Sequence, residues 1–442
     1  MSSSVAELAA QVPRKRWIRI IPPAIMVYIF SYMDRAAIGF AMAGGMNRDL
    51  HITAAVAGTA AGIMFIGYLF LQVPGGHIAS RGKAKLFITA SIVAWGAAAA
   101  LSGLITSAAQ LMVLRFVLGV AEGGTFPAML VLISNWFPVE ERARANALFM
   151  WSNSLAYIVT GPVSGWIISV WGWRHVFIVE GLVTIVIAAI WYPLVTDKPE
   201  QAKWLSAAER DYLVRRAAEE QERLKNTSVV KASYKEILPR PDLWKLSVMY
   251  FCLQVGVTGY VIWLPTLVRN LTKTGMGTTG VLSGIPYIAA LIGLYSFAAR
   301  SDRTGNRRFY AGLPGLCFGV CFVLSTVWQH QMWLSYAFLI GCGFFQQAHN
   351  GVFWTIPPQL FPKEIAGGAR GIVNGIGNLG GFVGPFLVGW FITAFHSTDL
   401  GLYSLSLFLI IAFLVSFTLP ASLVRAAKAQ AVQAAPAAAS GR

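Results

Sequence analysis

Charge is scarce in this chain. Only 12% of its 442 residues are Asp, Glu, Lys or Arg, against about 25% in a typical soluble domain. Acids are the scarcer kind, 19 against 35 Lys and Arg. There are four cysteines (Cys252, Cys317, Cys321 and Cys342), all in apolar stretches with no other soft ligand nearby in sequence. That spacing argues against a disulfide framework and against a zinc site, and no metal is expected. Strict period-two alternation is missing, which argues against a transmembrane β-barrel. A net charge of +16 could suggest nucleic acid. However, the basic residues fall in short clusters between apolar runs, with no basic groove or stacking platform, so no nucleic acid is expected.

What the chain has in quantity is apolar length. Hydrophobic residues make up 56%, in runs of about 20 residues, the length that crosses a bilayer as a helix. Twelve spans are predicted, near 18–44, 54–77, 84–106, 109–136, 145–170, 174–195, 244–268, 278–299, 309–328, 332–358, 368–395 and 400–422. The first contains charge and lacks a convincing cleavage site, so it is expected to be retained. The fold class is therefore an all-α polytopic membrane protein of twelve helices in two pseudo-symmetric six-helix bundles. The predicted divisions are an N-terminal bundle 1–196, a linker with short helices 197–243, a C-terminal bundle 244–425 and a disordered, low-complexity tail 426–442.

Basic residues alternate by loop. They cluster before span one (Arg14, Lys15, Arg16, Arg19), after span two (Arg81, Lys83, Lys85), after span four (Arg142, Arg144), in the linker, after span eight (Arg300, Arg303, Arg307, Arg308) and after span ten (Lys363, Arg370). The intervening loops are poor in Lys and Arg. The positive-inside rule then places both termini and the linker in the cytoplasm.

The halves also repeat. "SRGKAK" (80–85) follows span two and "SDRTGNRR" (301–308) follows span eight. "WFPVEERARANALF" (136–149) pairs with "LFPKEIAGGARGIV" (360–373), and "TGPVSGWI" (160–167) with "VGPFLVGW" (383–390), at a common offset of about 222–224 residues. Parallel repeats with a mid-membrane site at their interface are a common transporter plan.

These features resemble the major facilitator superfamily. "SDRTGNRR" is similar to its loop motif after span eight, so Arg81, Asp302 and Arg303 are expected to serve gating. The copy after span two departs from the pattern, with Ser80 where Asp is usual and Lys83 where Gly is usual. A narrower resemblance, to the anion:cation symporter family, spans nearly the whole chain. It rests on "YMDR", "FIGYLFLQVPGG", "RFVLGVAEGGTFP", "WFPVEERARA", "WRHVFIVEG", "DKPEQAKWLSAAER" and "GNLGGFVGPFLVGW". The resemblance implies proton-coupled import of an organic anion such as a sugar acid across the inner (plasma) membrane. No cofactor other than the proton and no enzymatic activity are expected. The small anion and the lipid bilayer are the expected partners, with the monomer as the working unit.

Several residues could do this chemistry. Arg35 can hold a carboxylate with two parallel hydrogen bonds and stays charged. Asp34 beside it projects about 100° away on a helix, so the two are not expected to face each other. In span four Arg115 and Glu122 are seven residues apart, two turns, and share a face. A static Arg115–Glu122 pair is one reading. The resemblance implies the other, proton coupling through Asp34 and Glu122 with Arg115 as the electrostatic partner. Tyr32, Tyr68, Asn153, Gln254, Trp354 and Asn374 match substrate-lining positions of the resembling family, though each could instead bond helix to helix. Gln346, Gln347, His349, Asn350 and Asn378 are further polar candidates, His349 without an evident partner. Glu180 lies near the start of span six and is expected at the outer surface, in a structural role.

Three alternatives stay open. The cargo could be a dicarboxylate or an aromatic carboxylate, the latter suggested by Phe344, Phe345, Phe353 and Trp354. The chain could be a proton-coupled exporter, although span five carries only "TGPVSG". A phosphate-ester exchanger would want a second basic residue in span seven, and "YFCLQVGVTGYVIWLP" has none.

Overall fold

A computed structural model describes residues 2–226, 234–420 and 423; the predicted disordered tail 426–442 lies outside them. Apolar composition and i→i−4 bonding make almost every described residue outside the loops helical. Among the described residues, ten stretches are long and apolar enough to cross a membrane. One of them, Ala54–Ser102, is two spans that meet at a kink over Ala79–Lys83, where Gly82 leaves helical geometry. Span ten is interrupted, as Met332–Gln346, Asn350–Phe353 and Pro357–Leu360, so it is not one long helix. The total is twelve.

The chain divides into two compact units. One is Met1–Ile52, Thr59–Val230 and Gly275–Gly280; the other is Thr53–Gly58, Lys231–Thr274 and Val281–Arg442. In the first, span one packs on spans five and six, and span three on spans four and six. In the second, span seven packs on span eleven, and span nine on spans ten and twelve. The sequence repeat is thus a repeat of packing. It extends to the turns: Gly82 and Gly305, in the paired loops, both have positive φ (79° and 69°), where a Cβ is unfavourable.

Local signals start the helices. Ser107 accepts from the Gln110 amide at span four, Asn306 from Phe309 at span nine and Ser397 from Leu400 at span twelve, each satisfying an otherwise unpaired N–H. The linker helix Ala207–Asn226 opens with a capping box. Ser206 Oγ accepts from the Glu209 amide at 3.3 Å, and Glu209 Oε2 accepts from the Ser206 amide at 2.8 Å. This helix is fastened to the first unit. Lys15 Nζ meets Glu209 Oε1 at 2.6 Å, and Trp204 stacks on Trp136 with centroids 5.3 Å apart. Nearby, Arg16 pairs with Glu141 at 2.9 Å and donates to the Trp136 carbonyl at 3.0 Å.

Spans two and four come together backbone to backbone. A Cβ on Gly119 or Gly123 would overlap the carbonyl oxygen of Met64 or Tyr68, and one on Gly67 that of Phe116. Spans eight and ten repeat the device, with Gly293 against the Phe344 carbonyl and Gly343 against that of Pro286.

Candidate functional site

Span one presents Tyr28, Ser31, Tyr32, Asp34 and Arg35 within two turns. Span four breaks opposite them, as Ala108–Gly123 followed by Thr125–Trp136. Pro127 has no N–H for the Gly123 carbonyl, and Gly123 and Gly124 tolerate the resulting bend. The last residue before the break that carries a polar side chain is Glu122, 1% exposed.

Arg35 reaches Glu122. Its Nε and Nη2 donate to Glu122 Oε1 at 2.8 and 2.5 Å. Ser31 Oγ donates to the same oxygen, while Glu122 Oε2 is buried without a partner. The guanidinium also lies over the rings of Tyr32 and Tyr68, 4.8 Å from each centroid, a geometry that favours a cation. Tyr157 meets Tyr32 edge-on at 5.6 Å. The result is a cation framed by aromatic rings and tied to one internal carboxylate.

The static Arg115–Glu122 pair, one of the two readings, is not formed. Arg115 and Glu122 do share a face, but Arg35 from span one takes Glu122. Arg115 Nη1 instead donates to the backbone carbonyl of Asp34 at 3.1 Å, with its guanidinium 4.9 Å from the Phe177 ring centroid. Asp34, 2% exposed, points away from Arg35, and its Oδ2 is 3.5 Å from Thr184 Oγ1 of span six.

Glu180 corrects an expectation. It is buried at 2%, not at the outer surface, and its Oε1 accepts from Ser164 Oγ of span five at 2.6 Å. Span six begins at Trp173, so Glu180 is two turns inside it. Counting turns from the Trp-Arg-His edge would have shown this. Arg115, over the Phe177 ring, and Asp34, beside Thr184, both meet span six within about one turn of Glu180.

The second unit holds neutral polar groups. Gln254, Trp354 and Asn374 are half-buried, as is Asn153 on span five of the first unit. The break in span ten, Gln347 to His349, has no Gly or Pro within it. It is instead a run of polar side chains, "QQAHN". Asn350 Nδ2 donates to Gln347 Oε1 at 2.5 Å. Both polar atoms of the Gln346 side chain, His349 Nε2 and Asn350 Oδ1 are buried with no partner. Tyr250 stacks on Phe353 at 5.1 Å and meets Trp354 edge-on at 4.9 Å. Asn378 is buried.

The residues of the two loop motifs lie at helix ends. Arg81, Asp302 and Arg303 are exposed. In the second unit Arg307, not Arg303, meets Asp302, at 3.4 Å, and also donates to Thr355 Oγ1 at 2.7 Å. In the first unit Asp197, at the end of span six, accepts from the Lys85 amide at 2.6 Å. It ties down the loop in which Ser80 replaces the usual acid.

Comparison with known proteins agrees with this architecture. The family model described as Major Facilitator Superfamily matches residues 24–385. A putative tartrate transporter of Agrobacterium vitis is 30% identical over 94% of this chain and 93% of its own length. A quinolone resistance transporter of Acinetobacter baumannii is also 30% identical, over 92% of this chain and 94% of its own. Among solved structures, a bacterial homologue of the human lysosomal transporter Spinster, inward-facing and unoccupied, superposes with a TM-score of 0.75. That match covers 93% of this chain and 97% of the other at 15% identity, so it bears on the fold alone.

Proposed function

The chain belongs to the Major Facilitator Superfamily; it is a multi-pass membrane transporter and not an enzyme, and from that premise we propose that it imports an organic anion, a hydroxylated carboxylate, by proton symport. The observation that carries this reading is the Arg35–Glu122 contact inside the Tyr32 and Tyr68 rings. One guanidinium fork cannot serve two carboxylates at once. An incoming carboxylate therefore competes with Glu122, and a proton on Glu122 releases Arg35 for the cargo. Cargo binding and proton uptake are linked by that competition, without any long-range device.

In this proposal Tyr32 and Tyr68 add hydroxyl contacts, and Asn153, Gln254, Trp354 and Asn374 meet the cargo's hydroxyls and carbon frame. Neutral amides bind hydroxyls without another desolvated charge. Asp34 holds a proton, with Arg115 as its electrostatic partner. Arg81, Asp302 and Arg303 act in gating. The alternating Lys and Arg clusters support an orientation with both termini and the linker in the cytoplasm, and in this proposal the monomer is the working unit in the inner (plasma) membrane. The name of the Agrobacterium relative supports a tartrate-like cargo.

The Glu122→Gln variant tests the coupling. It is expected to keep substrate counterflow in proteoliposomes and to lose accumulation driven by a pH gradient. Undiminished accumulation would remove Glu122 from the coupling. A second reading, export of an aromatic carboxylate, draws on the Tyr250–Phe353–Trp354 cluster and on the quinolone-resistance relative. A thermal-shift panel of tartrate, six-carbon sugar acids and aromatic carboxylates separates the two by which class stabilises the protein.

A further inference from the structure

We propose that Asp34, Arg115 and Glu180 form a second proton site in the first unit, where a single proton is shared by the two carboxyls beside one guanidinium. This extends the Asp34 proton site of the reading above to Glu180, and rests on that reading for its role in transport but not for its test.

The case begins with a charge count. Arg35 and Glu122 satisfy each other at 2.5 Å. The remaining buried charged groups at this depth are Asp34 (2% exposed), Arg115 (1%) and Glu180 (2%), two acids and one base. An uncompensated carboxylate in such surroundings takes up a proton instead of staying ionised. One proton makes the set neutral.

Hydrogen bonding supports the same count. Glu180 Oε2 and Arg115 Nε and Nη2 are all buried without partners. A carboxylate only accepts, whereas a protonated carboxyl also donates, so this set has unused capacity on both sides. Arg115 is held in place through Nη1 by the Asp34 carbonyl, which leaves its other donors for whichever carboxyl is ionised. Thr184 Oγ1 donates to the Glu180 backbone carbonyl at 2.8 Å and is 3.5 Å from Asp34 Oδ2, so the Asp34 carboxyl meets span six one turn from Glu180. Ser164 fixes the other Glu180 oxygen.

Span one faces Glu180 with Asp34, since Arg35 is engaged by Glu122. Span five contributes Ser164 and span four Arg115, while the Trp95 indole of span three and Glu122 of span four bear on Asp34. Arg174 and His175 of span six bind the carbonyls of Ile105 and Trp171 at the helix start and do not reach the cluster.

The test is the infrared band of protonated carboxyl groups in purified protein in lipid at neutral pH, identified by its shift in heavy water. Glu180→Gln and Asp34→Asn each leave one acid with one base, so each is expected to lose the intensity of one carboxyl. The double variant is expected to lose no more than either single one. Glu180→Asp keeps the carboxyl and is expected to keep the band at a shifted frequency; should Glu180→Gln not fold, this variant carries the test. Arg115→Gln is expected to raise the band to two carboxyls. An undiminished band in Glu180→Gln, an unshifted band in Glu180→Asp, or an undiminished band in Asp34→Asn with loss in Glu180→Gln overturns the sharing. If wild-type uptake ignores a pH gradient, the symport reading fails while these spectra still decide the proton site.

Discussion

The two six-span units share their helix contacts, their broken fourth helix and their glycine contacts, yet they differ in charge. Every buried charged side chain among the described residues lies in the first unit, and the second buries only neutral polar groups such as Gln346, His349 and Asn378. A charge in a bilayer is costly, roughly 2.5–3.5 kcal/mol at the centre of a helix on insertion scales. That cost falls when opposite charges sit together, so gathering them in one unit lets each find a partner. The second unit is then free to supply hydrogen bonds without adding to the charge balance.

The largest test of this division is Arg35→Lys. A lysine cannot reproduce the two-donor fork, and truncating a buried charge-pair contact costs about 2–5 kcal/mol. Uptake is therefore expected to fall about a hundredfold or more, measured in proteoliposomes with the protein still monodisperse. Uptake with unchanged KM would deny Arg35 its role. Next is the reverse experiment, a charge placed in the neutral unit. Gln346→Glu has no buried base to pair with among the described residues of that unit, and should lose about 2–3 kcal/mol of stability. A thermal unfolding curve unchanged from wild type would show that the second unit tolerates charge after all. Smaller again is Asn374→Ala, which removes one neutral amide. A single hydrogen bond is worth about 1 kcal/mol, so KM should rise roughly fivefold with little change in maximal rate. An effect as large as that of Arg35→Lys would erase the contrast between the units.

The smallest effect concerns the linker. Burial alone would raise the Glu209 carboxyl, but the Lys15 ammonium and the Ser206 donors bring it below the usual carboxylate range. A carboxyl lowered by folding contributes fully above its unfolded value, about 4.3, and loses that contribution as the pH falls through the lowered one. Docking of the linker helix should therefore hold at neutral pH and loosen in acid, read from the fluorescence of the Trp204–Trp136 stack. Glu209→Gln is expected to be loosened already at neutral pH.

Much of the fold was legible because it follows from one-dimensional signals. Apolar length gave the spans, and the Phe-Pro and Gly-Pro repeats gave the pseudo-symmetry. The outward turn of Asp34 from Arg35 followed from helical geometry alone. The pairings were not legible. Spacing placed Arg115 and Glu122 on one face, but which arginine takes Glu122 depends on how close span one approaches, and no spacing encodes that. Glu180 was misjudged because its position near a predicted boundary outweighed its apolar neighbours. The break in span four was announced by Gly123, Gly124 and Pro127. Of the two breaks in span ten, the second precedes Pro357, but the first had no Gly or Pro within it, only the polar residues around Gln347 and His349.

Gly119 and Gly123 have a consequence for genetics. Tyr68 lies over Arg35 because span two rests directly on the backbone of span four, and that contact leaves no room for a methyl group. An alanine at either position would displace Tyr68 without touching any side chain that meets cargo. In a screen for lost uptake, such alleles would look like binding-site mutants. The outline of the proposed anion site is thus inherited partly through positions that have no side chain to contribute.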